Sequence, residues 1–201
     1  MMPLLSVLFA YFLGAIPFGY LLVRWKTGGD VRTSGSGNIG ATNVLRTTGI
    51  VAGVVTLILD IAKGYFAVWA AGRASSGSPF WTSIAALAVM AGHAYPIFLG
   101  FQGGKAVASF IGAFLRLAPL ATIAMLVVFL AVVAKTRYIS LGSIIAAATF
   151  PFAVWLILQP PVEIEVAALA ASIFIIYRHR ANIHRLQEGT EHFLSWGAPR
   201  A

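Results

Sequence analysis

Three polar stretches in this chain carry residues whose types and spacing suit phosphate binding. The first, Thr33-Ser-Gly-Ser-Gly-Asn-Ile-Gly-Ala-Thr-Asn-Val-Leu-Arg46, gathers four hydroxyl side chains, two Asn and three Gly before its closing Arg. Glycines let successive backbone N–H groups turn inward on an anion, and Ser, Thr and Asn side chains add donors. Arg46 can neutralise a phosphate through two parallel hydrogen bonds. Taken alone, the stretch also reads as a polar connector. Gly35 to Gly40 matches the dinucleotide pattern G-x-G-x-x-G, with Asp60 further on. That pattern requires a preceding strand and a βαβ unit. Here an apolar segment precedes it and Asp60 falls inside another, which excludes the dinucleotide reading.

The second stretch runs from Gly92 to Ser109 and contains Gly103-Gly104-Lys105. This places a cation after a permissive turn, where a helix is expected to begin. Helix N-terminal N–H groups attract anions, and an adjacent Lys strengthens the attraction. It is not a Walker A loop, because Leu99 and Ala106 stand at its first Gly and its Ser/Thr positions. His93 near the end of its span reads as a packing or interfacial histidine. The third stretch, Arg178 to Glu191, continues from the last apolar segment, and on a helix positions 178, 182 and 185 share a face. Its plainer reading is a basic juxtamembrane segment lying against anionic lipid. Asp60 and Lys63, three apart in an apolar segment, read as a structural ion pair, since unpaired charge there is costly. Ser140 and Ser143 are expected to open a helix on the same side.

The elements that position these stretches are apolar. The 201 residues are 59% hydrophobic and 10% charged, with a mean hydropathy of +0.87, against about 25% charged for a soluble domain. Lipid must therefore be the solvent for much of the chain. Apolar segments fall at 3–23, 50–71, 81–99, 106–118, 119–134, 141–158 and 164–177. Crossing the hydrocarbon core takes about 20 residues, so 106–118 is short, and only Pro119 separates it from its neighbour. The expectation is a single all-α integral membrane domain over 1–201 with about seven transmembrane helices. The segment from Pro3 to Val23 lacks a basic leader and reads as a retained first span. With the N-terminus outside, 11 of the 14 Lys and Arg residues, Arg200 among them, fall on one face together with all three polar stretches. The positive-inside rule makes that face cytoplasmic and puts the C-terminus there too. A net charge of +8 then points to lipid headgroups and an anionic substrate, with no nucleic acid implied. The absence of Cys excludes disulfides, thiolate nucleophiles and Cys metal sites.

Taken in order, SGSGNIGATNVLR, GHAYPIFLGFQGGKAVAS and RHRANIHRLQEGTE resemble the bacterial membrane glycerol-3-phosphate acyltransferases that use acyl-phosphate as donor. The likeness spans nearly the whole chain. It implies a seven-helix protein of the inner membrane with a cytoplasmic site. It also implies transfer of a fatty acyl group to the 1-hydroxyl of sn-glycerol-3-phosphate, giving lysophosphatidic acid and phosphate. The implied partners are acyl-phosphate, glycerol-3-phosphate and membrane lipid, with no cofactor and no metal. By the same resemblance Ser36, Gly37, Asn38, Thr42 and Asn43 belong to a phosphate-binding stretch that Gly103 and Gly104 complete. Arg46, Lys105, Ser143, His179 and Asn182 match positions that hold glycerol-3-phosphate, and Lys105, Arg46, His179 and Asn182 are the expected catalytic set. The family's Gly-Gly-Lys-Gly-Val-Ala-Thr appears here with Ala106 and Ser109 in place of its later Gly and Thr.

The chemistry of an acyl-phosphate fits this residue set. A mixed anhydride is already activated, so the protein mainly aligns an alcohol and stabilises charge on the carbonyl oxygen. The sequence has neither a His-x-x-x-x-Asp dyad nor a G-x-S-x-G elbow, so a covalent acyl-enzyme is not favoured. The proton acceptor is left open between the departing phosphate and a neutral His. The alternative function is a small-anion membrane transporter, although such proteins usually place polar groups near the bilayer midplane.

Overall fold

Pro17 interrupts the first apolar segment, which the sequence suggested as one unbroken span. In the computed structural model, which describes residues 1–194, that segment forms α1 (Met2–Ala15) and α2 (Phe18–Thr27), with Ile16 extended between them. Proline lacks a donor and pushes the residue before it out of helical geometry. The displaced Ile16 carbonyl accepts a hydrogen bond from Lys63 Nζ at 3.0 Å, as apolar surroundings require. Arg200, counted above among the inner-face cations, lies outside the described residues.

The remaining helices are α3 (Ala41–Thr48), α4 (Ile50–Ala74), α5 (Pro79–Ala94), α6 (Val107–Leu117), α7 (Pro119–Thr136), α8 (Ile139–Leu158), α9 (Val162–Arg178) and α10 (Arg180–Gln187). The described residues contain no strand. Among the described residues, five stretches are long and apolar enough to cross a bilayer: Met2–Thr27, Ile50–Ala74, Pro79–Leu99, Pro119–Thr136 and Ile139–Leu158. The segment 106–118 becomes an 11-residue helix, about 16 Å long at 1.5 Å per residue. That is about half the hydrocarbon thickness. Ala118 alone joins it to α7, whose first position is Pro119, so the pair is two helices. The last segment, α9, has 17 residues.

Small residues hold the bundle together. Alanine supplies more than half of the buried hydrophobic positions, while Leu, Ile, Val, Phe and Trp populate the exposed faces. Between helices in lipid, association rests on close van der Waals approach, which small side chains permit. The crossing of α4 and α6 is the tightest case. A Cβ added at Gly64 would run into the Ser109 carbonyl oxygen, and one at Gly112 into that of Ile61. The isopropyl group of Gly112→Val should destabilise the protein by about 1–3 kcal/mol, the usual cost of overpacking, measurable as a lowered thermal midpoint in detergent. Below this crossing Phe110, Phe114 and Phe150 form an aromatic trio with ring centroids 4.8–5.0 Å apart. The helices α4, α6, α7, α8, α9 and α5 succeed one another around the bundle. At one end α3, the Gly103–Lys105 turn and α10 come together.

Candidate active site

The first polar stretch is shaped by a buried side chain. Asn43, 2% exposed, sits in α3 with its Nδ2 at 3.1, 3.0 and 2.8 Å from the carbonyl oxygens of Val31, Ser34 and Asn38. Its Oδ1 accepts from the Ser36 N–H at 2.9 Å. Gly35 and Gly37 adopt φ of +59° and +69°, a region that glycine enters without the Cβ penalty. At Gly35 an added Cβ would strike Asn43 Oδ1. Asn38 Oδ1 accepts from Gly40 N at 2.8 Å and so turns the chain into α3. One turn further along α3 stands Arg46.

The second stretch is tied to α5 and α9. Gly103 and Gly104 donate to the carbonyls of Ala94 and His93, both at 3.1 Å. The guanidinium of Arg178 donates to the carbonyls of Gly103 and Gly104 at 2.9–3.2 Å and lies 4.9 Å from the centre of the Tyr95 ring. Ala106 adopts φ +62° just before α6, at the position where the family pattern has glycine.

A cavity of about 320 Å³ opens between these elements. Nine expected site residues line it: Ser36, Asn38, Thr42, Asn43 and Arg46 from the first stretch, Lys105 from the second, Ser143 from α8, and His179 and Asn182 from the third. Gly37, Gly103 and Gly104 do not line it. They form the turns behind it; at Gly103 and Gly104 a Cβ would clash with α5, while Gly37 is needed for its φ of +69°. The other half of the wall is apolar, built from Val54, Leu57, Phe110, Ile111, Met125 and Phe129. Cations and hydroxyls thus share one cavity with hydrocarbon side chains.

Glu191, to which the sequence assigned no role, also lines the cavity and is 8% exposed. Its Oε1 accepts from Asn182 Nδ2 at 2.8 Å and from Ser140 Oγ at 3.0 Å, and its Oε2 from Arg185 Nε at 2.8 Å. Burial alone would raise this carboxyl; the hydrogen bonds from Asn182, Ser140 and Arg185 outweigh it and hold the group below the usual range. Its signal in the sequence was an acidic residue closing a run of Arg, His and Asn. Ser143 Oγ bonds back to the Ile139 carbonyl at 2.9 Å.

Burial lowers Lys105 to about 8; the Glu191 charge opposes the shift and Arg185, Arg46 and Arg178 add to it. Burial also lowers Arg46, which stays cationic. His179 is pushed down to about 4 by burial and then by the Lys105 charge, so it is neutral at pH 7. Its Nδ1 lies 2.8 Å from the Ile175 carbonyl. Nδ1 therefore carries the hydrogen, and Nε2 is left as an acceptor. Among the described residues no group of three or more His, Asp or Glu side chains is arranged to hold a metal ion.

Comparison with known proteins shows the family and the fold. Residues 4–189 match the family model described as glycerol-3-phosphate acyltransferase. A glycerol-3-phosphate acyltransferase of Geobacter sulfurreducens is 48% identical over 182 residues, covering 90% of this chain and 92% of its own. The glycerol-3-phosphate acyltransferase 2 of Moorella thermoacetica is 48% identical over 193 residues, covering 96% and 98%. A crystal structure of PlsY, an integral membrane glycerol 3-phosphate acyltransferase in its glycerol 3-phosphate form, superposes with a TM-score of 0.92. It is 37% identical, with 97% of this chain and 96% of that chain covered. The lysophosphatidic acid form of PlsY superposes with a TM-score of 0.89 at 36% identity. With the family model covering nearly the whole length and the fold shared with PlsY, the chain belongs to the glycerol-3-phosphate acyltransferases, integral membrane enzymes of phospholipid synthesis.

Proposed function

We propose that the protein transfers a fatty acyl group from acyl-phosphate to the 1-hydroxyl of sn-glycerol-3-phosphate. The observation that carries this reading is one cavity whose lining joins cations and hydroxyls with hydrocarbon side chains. It suits a phosphorylated headgroup joined to an acyl chain. Arg46 and Lys105 clamp the acceptor phosphate, supported by Ser143 and by donors of the 36–43 stretch. Neutral His179, through Nε2, and Asn182 orient the 1-hydroxyl. The hydroxyl oxygen forms a bond to the acyl carbon, the carbon–oxygen bond of the anhydride breaks, and inorganic phosphate leaves. The proton passes to the departing phosphate or to His179. Because the donor is activated, no protein nucleophile is required.

The chain crosses the bacterial inner membrane seven times in this reading, with the N-terminus outside. The cavity and the C-terminus then face the cytoplasm, where the basic residues concentrate. Short α6 is accommodated because it packs against α4 inside the bundle. The test is to mix purified protein with glycerol-3-phosphate and either acyl-phosphate, acyl-CoA or acyl-carrier protein, following lysophosphatidic acid and free phosphate. Equal amounts of both products with acyl-phosphate alone are expected. Product from a thioester donor without phosphate release would overturn the donor assignment, and anion uptake into vesicles without product would favour a transporter.

A further inference from the structure

At the cavity wall and beside it, three ionisable side chains are buried in the bundle and take no part in the proposed chemistry. Asp60 and Lys63 on α4 and His93 on α5 are 2%, 3% and 4% exposed. Lys63 Nζ lies 2.8 Å from Asp60 Oδ1, and His93 Nδ1 lies 3.6 Å from the same oxygen. Lys63 also donates to the Ile16 carbonyl, freed by the break between α1 and α2. Charges at this depth are expensive, and a plain helix joint could be made from alanine, as it is elsewhere in this bundle. The cluster is placed where it meets the catalytic loop.

That meeting is a close one. The His93 ring lies flush against Gly104, so that a Cβ at Gly104 would fall on Nε2 of the ring. The His93 carbonyl receives the Gly104 N–H, and both His93 and Asp60 reach the cavity wall. The residue after Gly104 is Lys105. Asp60 thus faces one side of an imidazole whose other side bears on the turn that carries the lysine.

We infer that Asp60, Lys63 and His93 are positioning residues that seat the Gly103–Lys105 turn and thereby set where the Lys105 ammonium meets the acceptor phosphate. Lys63 pairs with Asp60 and joins the cluster to the α1–α2 break, the Asp60 carboxylate faces the imidazole Nδ1 across 3.6 Å, and the opposite edge of the ring supports Gly104. The inference rests on Lys105 being a phosphate ligand.

The test is a double-mutant cycle in the purified full-length enzyme, with glycerol-3-phosphate as the varied substrate. Gly104→Ala drives a methyl into the ring and should lower kcat/KM by at least about tenfold, while His93→Ala should raise KM about tenfold with a smaller change in kcat. The double variant should be no worse than His93→Ala alone, because the added methyl occupies the vacated space. Asp60→Leu with Lys63→Met removes both charges without stranding either. It also takes the donor away from the Ile16 carbonyl, so the thermal midpoint should fall, and KM should still rise. Losses at 93 and 104 that simply multiply, or a KM in His93→Ala within about twofold of the parent, overturn the inference. Lys105→Ala separates the two ideas: full activity there sinks the ligand assignment, whereas the cycle addresses only its support.

Discussion

Lys105→Ala should lower kcat/KM for glycerol-3-phosphate by about 10²–10³-fold, the usual cost of removing one preorganised donor from a water-poor site. Arg46→Ala should fall in the same range. The two differ in stability. Lys105 makes no hydrogen bond with a described residue, and burial depresses its ammonium to about 8. A lysine whose folded pKa lies below its unfolded value destabilises the fold while it is charged, and that penalty fades as pH rises above about 8. At pH 7 Lys105→Ala should therefore unfold at the same temperature as the parent or higher, while being nearly inactive. Activity and melting measured on one preparation check this. Near-normal turnover in both Lys105→Ala and Arg46→Ala would remove the clamp.

The second large effect is on alkaline pH dependence. The proposed phosphate clamp requires charged Lys105, and in the free enzyme that charge is lost through about pH 8. Below that value kcat/KM for glycerol-3-phosphate should be flat as far as this group is concerned. Above it, kcat/KM should fall by about tenfold per pH unit, because it reports ionisations of the free enzyme. His179 does not distort this limb, since its pKa of about 4 keeps it neutral throughout. Lys105→Arg holds its charge to far higher pH and should flatten the limb even if its absolute rate is lower. Initial rates at low glycerol-3-phosphate from pH 6 to 10 measure it. An unchanged limb in Lys105→Arg would assign it to another group.

Local patterns were readable and long-range ones were not. All seven apolar segments are helical, and nine of the twelve anticipated site residues line one cavity, because hydropathy and polar composition are properties of short windows. Pro17 was in plain view, yet its break passed unnoticed inside a run of apolar residues. What makes the break tolerable is Lys63, 47 residues away. Helix α3 was hidden within a stretch read as loop, since Ser, Thr, Asn and Gly favour turns when considered singly. Asn43 was assigned to the phosphate-binding stretch by resemblance, and it lines the cavity. Its amide nitrogen also lies among three loop carbonyls, partners up to 12 residues away that no spacing rule picks out. Glu191 was given no role. Its partners Ser140 and Asn182 come from different helices, and no spacing rule links them.

The alanine-filled interior has a consequence for how this protein tolerates change. In a water-soluble domain, hydropathy is the first guide to which substitutions a position will bear. Here both the inner seams and the lipid-facing skin are apolar, so greasiness does not tell them apart, and side-chain bulk does. Exchanging Leu for Phe on the outer face should pass unnoticed, whereas one extra methyl at Gly64 or Gly112 meets another helix's backbone. Sequence drift in this fold is therefore policed by volume.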